Sequence, residues 1–257
     1  DSADQWLIVD STRTPLGDTE GNNLYAESTA AEGGGSSTAI QFDSNGFTVK
    51  GTDTMVNASG GTYLYMAFNG GMDSISTYNT TGSVDSRVKA NPTYGQSIVS
   101  FNGSGGTSAT IGHGLSSAPE VAIYKSRDDI GNWNFMTTAI DGSYDRLVLN
   151  DTSAKTDDSR TAPTANVITD LGFDSGTATI AYCFHSVTGY SSFGSWVGNA
   201  NDTAPVITTG FAPAFVMYKK ATGAADWVIV DNTRNPSGIK NKVLYPNSSA
   251  VEYSSPD

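Results

Sequence analysis

Trp6-Leu-Ile-Val-Asp10-Ser-Thr-Arg13-Thr-Pro15 returns 221 residues later as Trp227-Val-Ile-Val-Asp231-Asn-Thr-Arg234-Asn-Pro236, with seven of the ten positions identical. A match of that quality between distant parts of one chain marks an internal repeat, and the repeat must be read before any single element. The stretch is a short apolar run opened by Trp and closed by Asp, Thr and Pro, which is how a buried strand running out into a turn is written. The likeness continues from Leu24-Tyr25, Ser28, Ala30 and Glu32 to Leu244-Tyr245, Ser248, Ala250 and Glu252, with one gap.

A weaker copy lies between the two. Ala118-Pro119-Glu-Val-Ala-Ile-Tyr124-Lys125, followed by Trp133, aligns with Ala212-Pro213-Ala-Phe-Val-Met-Tyr218-Lys219, followed by Trp227, at an offset of 94. Gly176-Thr-Ala-Thr-Ile-Ala-Tyr-Cys-Phe184 echoes Gly60-Gly-Thr-Tyr-Leu-Tyr-Met-Ala-Phe68. The expected organisation is therefore the back part of one β-module over 1–68, a complete module over 96–186, and the front part of a third over 187–257. Residues 69–95, punctuated by Gly70-Gly71, Asn79-Thr-Thr-Gly82 and Asn91-Pro92, read as a loop-rich connector with one short strand. No stretch carries a helical period beyond a turn or two. The fold class predicted is all-β, in tandem β-sandwich-like modules with internal repeats, anchored by buried and equivalent Trp6, Trp133 and Trp227.

Composition narrows the function classes. The 257-residue chain carries a formal net charge of −12, which repels a phosphate backbone and an anionic membrane surface. No apolar run approaches the ~20 residues a spanning helix needs. Cys183 is the single cysteine, so an intrachain disulfide is impossible and a buried thiol is expected. Asp1-Ser-Ala-Asp4 is neither a start nor a signal peptide, and the chain reads as a piece of something longer.

Each residue capable of chemistry also has a plainer role open to it. His113, in Ile111-Gly-His-Gly-Leu115, aligns with Thr209 and reads as a polar turn residue. Cys183 and His185 stand two apart on a strand, but Ala67 and Asn69 replace them in the first piece, so a structural cysteine is expected. The pairs Asp128-Asp129 and Asp157-Asp158 could bind a structural Ca2+ between loops or serve as a glycosidase acid and base, but paired carboxylates on polar loops read as solvated surface, and no cofactor is expected. No motif of a known catalytic class occurs, which points away from an enzyme. Asp10 with Arg13, and Asp231 with Arg234, read as structural clamps, an Arg fork fixing the strand exit before Pro15 and Pro236.

Several stretches resemble a known family. Ser86-Arg-Val-Lys-Ala-Asn-Pro92-Thr-Tyr-Gly95-Gln-Ser-Ile-Val-Ser-Phe-Asn-Gly103, Ile111-Gly-His-Gly-Leu115, Ala181-Tyr-Cys-Phe184, Val187-Thr-Gly-Tyr190, Phe193-Gly-Ser195 and Gly210-Phe-Ala-Pro213 are similar to a repeat domain of marine phage structural proteins. That domain occurs in cyanophage and pelagiphage-type virion proteins, often beside concanavalin-A-like lectin modules. The resemblance implies no activity. It implies residence in a virus particle, outside the cell, as tail fibre, appendage or capsid decoration. The implied partners are copies of the chain and other virion proteins, with host-surface glycans as the alternative, and neither nucleic acid nor membrane insertion. The order departs from the family's, because the domain's ending stands here at the front, in Ser44-Asn-Gly-Phe47 and Asn57-Ala-Ser-Gly-Gly-Thr-Tyr63. The first piece then lacks the strands equivalent to 193–219, and the third lacks those equivalent to 33–68. Complementary deficits of this kind predict that one fills the other, between neighbouring chains assembled head to tail.

Overall fold

Strands dominate the structure, and α-helix among the described residues is one turn, Thr54–Asn57, whose Met55 amide donates to the Asp53 carboxylate at 3.0 Å. The computed structural model describes residues 4–14, 21–35, 39–70, 76–200, 205–236, 238 and 241–254. Pro15 lies outside them. None of the described helix is long and apolar enough to cross a membrane.

The body is an eight-stranded antiparallel sheet in the spatial order Thr156–Asp157, Asp145–Val148, Asn134–Thr137, Val121–Ser126, Ala178–Phe184, Gln96–Asn102, Ser86–Asn91 and Thr77–Asn79. Side chains alternate across a strand, and both faces of this sheet are apolar. Val88, Val99, Phe101, Ala122, Tyr124, Met136, Ala181 and Cys183 on one face share a core with Ile111 and Ile168. Those two come from a separate ribbon of Thr110–Gly112 paired with Val167–Thr169. The opposite face carries Ile98, Ile123, Phe135, Leu147, Ile180 and Tyr182. It is covered by Leu24 and Ala26 from the first repeat and by Met217 and Trp227 from the third. Strands covered on both sides need apolar residues at every position, which is why the runs in this sheet are continuous.

The segment expected as a connector is part of this body. Thr77–Asn79 and Ser86–Asn91 are both strands of the main sheet. Arg87 and Lys89 make Ser86–Asn91 look polar, yet Arg87 alone is exposed, while Val88 is in the core and Lys89 is buried.

The repeats keep one register. Val121 stands opposite Thr137 and Tyr124 opposite Asn134; 94 residues on, Phe215 stands opposite Asp231 and Tyr218 opposite Val228. The next strand does the same in all three copies, with Ile8 opposite Leu24, Phe135 opposite Leu147 and Ile229 bridged to Leu244. What differs is the cover. Trp133 and Trp227 are 0% and 3% exposed, whereas Trp6, expected to be equally buried, is only half-buried. Trp133 lies against the first repeat and Trp227 against the second; among the described residues nothing takes the matching place beside Trp6.

Replacing Trp133 with Ala should cost ~3–5 kcal/mol of unfolding free energy, through lost burial and an unfilled cavity. Trp6→Ala should cost less than half as much in the same urea titration. Equal losses would mean that Trp133 owes nothing to its neighbouring repeat.

Candidate functional site

The feature that distinguishes this chain chemically is the seam between consecutive repeats, because it is made twice from the same parts. The indole Nε1–H of Trp133 donates to the Tyr25 carbonyl at 2.8 Å, and that of Trp227 to the Val148 carbonyl at 2.9 Å. The amide of Gly131 donates to the Thr29 carbonyl at 2.8 Å, and that of Ala225 to the Thr152 carbonyl at 2.9 Å. Lys125 Nζ reaches the same Thr29 carbonyl at 3.3 Å, and Lys219 Nζ that of Thr152 at 3.0 Å. In return, the Glu32 amide donates to the Arg127 carbonyl and the Lys155 amide to the Ala221 carbonyl, each at 2.7 Å. Every residue on the later side of the seam shifts by 94, and every residue on the earlier side by 123. The seams are therefore one interface used twice.

Each tryptophan is itself placed by the strand that returns beside it. The Trp133 and Trp227 amides donate to the side chains of Asn150 at 2.7 Å and Asn247 at 2.8 Å, and the Trp6 amide to Glu27 at 3.1 Å. The lysines were not singled out from sequence, although Tyr124-Lys125 and Tyr218-Lys219 share an offset with their tryptophans. A lysine kept at the end of a buried strand was the available signal. Lys125 is fully buried, its ammonium donating to the carbonyls of Thr29, Ser126 and Asp129, with the Asp129 charge partly opposing the effect of burial. Burial lowers it to about 8, and burial lowers Lys219 as well.

Both expected clamps are geometrically present. Arg13 Nε meets Asp10 Oδ2 at 2.5 Å, and the amides of Thr12 and Arg13 both donate to Asp10 Oδ1 at 2.9 Å. The guanidinium continues to the carbonyls of Asn22 at 2.6 Å and Ile8 at 3.0 Å. In the third repeat, Arg234 Nε meets Asp231 Oδ2 at 2.6 Å and Arg234 Nη2 the Ile229 carbonyl at 3.3 Å. The first clamp also crosses to the middle repeat, since the Tyr182 hydroxyl donates to Asp10 at 2.7 Å and accepts from Arg13 at 3.2 Å. Burial would raise the Asp10 carboxyl, but the Arg13 guanidinium and the Tyr182 hydroxyl outweigh it and hold it below the ordinary carboxylate value. Glu32 joins this group, 3.7 Å from Arg13 and ion-paired across the seam with Arg127. The middle repeat has Thr137 and Ile140 at the clamp positions, and keeps only the turn, with the Ala139 amide on Thr137 Oγ1 at 3.0 Å.

The remaining candidates are engaged in the framework. His113 is buried, accepts from the Leu115 amide at 3.1 Å and lies 3.1 Å from the Thr164 carbonyl; burial holds it below the usual histidine range. Burial pushes the Cys183 thiol up to about 12, so it is not a thiolate nucleophile at neutral pH. Asp128 accepts from the Ala178 amide at 2.7 Å, Asp129 from Thr177 at 3.2 Å, and Asp158 pairs with Arg160 at 2.5 Å. Asp157, Asp141 and Asp145 converge closely enough to suggest a cation site, but the Lys155 ammonium sits among them at 2.6, 2.9 and 2.6 Å.

The fold and the doubled seam define an all-β protein assembled from stacked repeats. Residues 1–71 and 72–257 each match the family described as "Domain of unknown function (DUF7483)", and the chain belongs to that family. The boundary between the two matches groups 72–95 with the middle repeat, in keeping with the two strands that segment adds to the main sheet. No curated protein and no solved structure matches the chain.

Two expectations test the site. Asp10→Asn strands a buried guanidinium and should cost ~3–5 kcal/mol, while Asp231→Asn should cost less, because Arg234 is partly exposed and also meets Glu252 at 2.9 Å. For Lys125 the sign follows from linkage: unfolded lysine titrates near 10.5 and the buried one near 8, so between these values the unfolded chain binds the extra proton and stability rises with pH. Equilibrium unfolding from pH 8 to about 9.5 should therefore show the wild type gaining on Lys125→Met. Parallel profiles would mean that Lys125 carries no such penalty.

Proposed function

We propose that the chain is a structural, non-enzymatic component of a phage particle, of tail-fibre, appendage or capsid-decoration type, whose repeats stack on one another and on further copies. The observation that carries this reading is the seam made twice at fixed offsets. Repeats held only by nearest-neighbour contacts give length and multivalency without a new interface for each addition. The placement in a virus particle rests on the resemblance to marine phage repeat domains. The histidine, thiol and acidic residues that could have served catalysis are engaged in packing, turns or ion pairs, which supports a role without it.

A carbohydrate-binding adhesin is the second reading, favoured by Tyr94 and Tyr190, whose rings pack in a tilted pair with centroids 4.8 Å apart and are 42% and 47% exposed. The exposed Tyr65 and Trp196 support it less, since each packs edge-on against another ring, Tyr65 on Phe47 at 5.2 Å and Trp196 on Tyr218 at 5.8 Å.

Immunogold labelling of purified particles with an antibody to residues 96–186 should decorate the particle surface. Particles that carry the intact gene yet take no label would overturn the proposal. Glycan-array binding abolished by Tyr94→Ala and Tyr190→Ala would favour the adhesin instead.

A further inference from the structure

The core face of the middle repeat that lies away from the seams is closed by the ribbon of Thr110–Gly112 and Val167–Thr169, whose Ile111 and Ile168 are wholly buried. Three residue pairs make a ribbon too short to hold by itself. It is tied to the main sheet instead, where the Ser86 hydroxyl donates to the Gly112 carbonyl at 3.0 Å and the Tyr124 hydroxyl to that of Thr169 at 3.2 Å. One end is fastened by His113, which joins the two sides of the ribbon. Its amide donates to the Asn166 carbonyl at 3.4 Å, its Nε2 lies 3.1 Å from the Thr164 carbonyl, and its Nδ1 lies 3.1 Å from the Leu115 amide nitrogen.

These partners allow one charge state. An amide can only donate, so Nδ1 keeps its lone pair; a carbonyl can only accept, so Nε2 carries the proton. The ring is therefore neutral, with both nitrogens engaged and no exposed surface. A second proton on Nδ1 would set two N–H groups against each other, break the bond to Leu115 and place a charge away from water. No carboxylate stands ready to receive that charge. The adjoining Ser86–Asn91 strand presents Ser86, Val88 and Ala90, with Gly114 packed against the last two, and the far side of the ribbon presents Thr164 and Asn166. Among the described residues the titratable group that acts on the ring is His185, whose Nε2 is buried without a partner and whose charge would repel. Thr209, aligned with His113, bonds to the Phe211 carbonyl two residues on at 2.7 Å, through a hydroxyl that does not titrate near neutral pH.

We propose that His113 is an acid-sensitive latch. Neutral, it holds the Thr110–Gly112 and Val167–Thr169 ribbon over the core face; protonated, it lets the ribbon go while the seams on the opposite face stay closed. This stands whether or not the chain belongs to a phage particle. The sign follows from linkage. Burial holds the closed His113 below the usual histidine range, although the Thr164 carbonyl works the other way, and in the opened ribbon the ring returns to its ordinary value near 6.5. The open form then binds the extra proton, so the latch is fully effective above about 6.5 and weakens as the pH falls below it. One proton taken up on opening raises the opening equilibrium by about tenfold per pH unit.

The chain has two histidines, so its imidazole signals in NMR are two and can be followed singly. At pH 7.5 the His113 ring should show the Nε2–H tautomer. Amide hydrogen exchange, corrected for its intrinsic pH dependence, should quicken in residues 110–115 and 164–169 between pH 6.5 and 5, by up to about tenfold per pH unit, while 121–126 and 133–137 keep their protection. His113→Asn, whose side-chain oxygen can still accept the Leu115 amide but takes up no proton, should lose this acid response; His185→Asn should keep it. An equal response in His113→Asn, or an acid opening that spreads evenly over the whole chain, would overturn the proposal. If His113→Asn fails to fold, the wild-type titration decides alone: a His113 ring that takes up its proton at the ordinary value with the ribbon still protected rules the latch out.

Discussion

The indole N–H of a buried tryptophan needs an acceptor, and here the acceptor always belongs to another repeat. A carbonyl has two lone pairs. At Tyr25 and Val148 one is taken by the turn amides of Ser28 at 3.1 Å and Asp151 at 3.3 Å, leaving the second for the incoming indole. The Tyr245 carbonyl likewise accepts from Ser248 at 3.0 Å. Burying the tryptophan is thus possible only where a neighbour supplies that second contact, and without it the indole would lose both cover and partner. This single requirement makes the repeat an incomplete object by itself, and the arrangement of the first and third pieces on one face of the main sheet follows from it.

Recognition across the seam is mostly to main chain, which determines how much could be read from residues. Tyr25 and Val148 differ, as do Gly131 and Ala225, yet they make the same bonds, since only their carbonyls and amides take part. The strands, the tryptophans and the Asp–Arg clamps were legible because each depends on side-chain type: apolar runs for burial, Trp for volume, a guanidinium fork for a carboxylate. The seam was not, because a backbone carbonyl leaves no mark on the sequence. The main-sheet role of Ser86–Asn91 was obscured by two cations of which one is buried. Trp6 looked identical to its equivalents, and its partial exposure is a property of what lies beside it, which local sequence cannot express.

Electrostatics divides labour between the two seams. At the first, Asp10, Arg13, Glu32, Arg127 and the Tyr182 hydroxyl form one connected group, largely removed from water. Its charges are worth having only together, since breaking a buried pair costs more than the intact pair contributes. At the second seam the corresponding positions are Thr137, Ile140, Lys155 and Ala221. There Ile140 packs against the apolar cluster, and the Lys155 side chain turns to three aspartates of its own repeat.

These two kinds of repeat alternate, clamped, unclamped, clamped, and the alternation acts as a phase mark. A stack slipped by one place would set Glu32 against the counterpart of Ala221 rather than Arg127, leaving a mostly buried carboxylate without its cation across the seam. The ion pair of Glu32 with Arg127 therefore labels the first seam as different from the second, where Lys155 and Ala221 stand at the same two positions and the lysine turns to its own repeat.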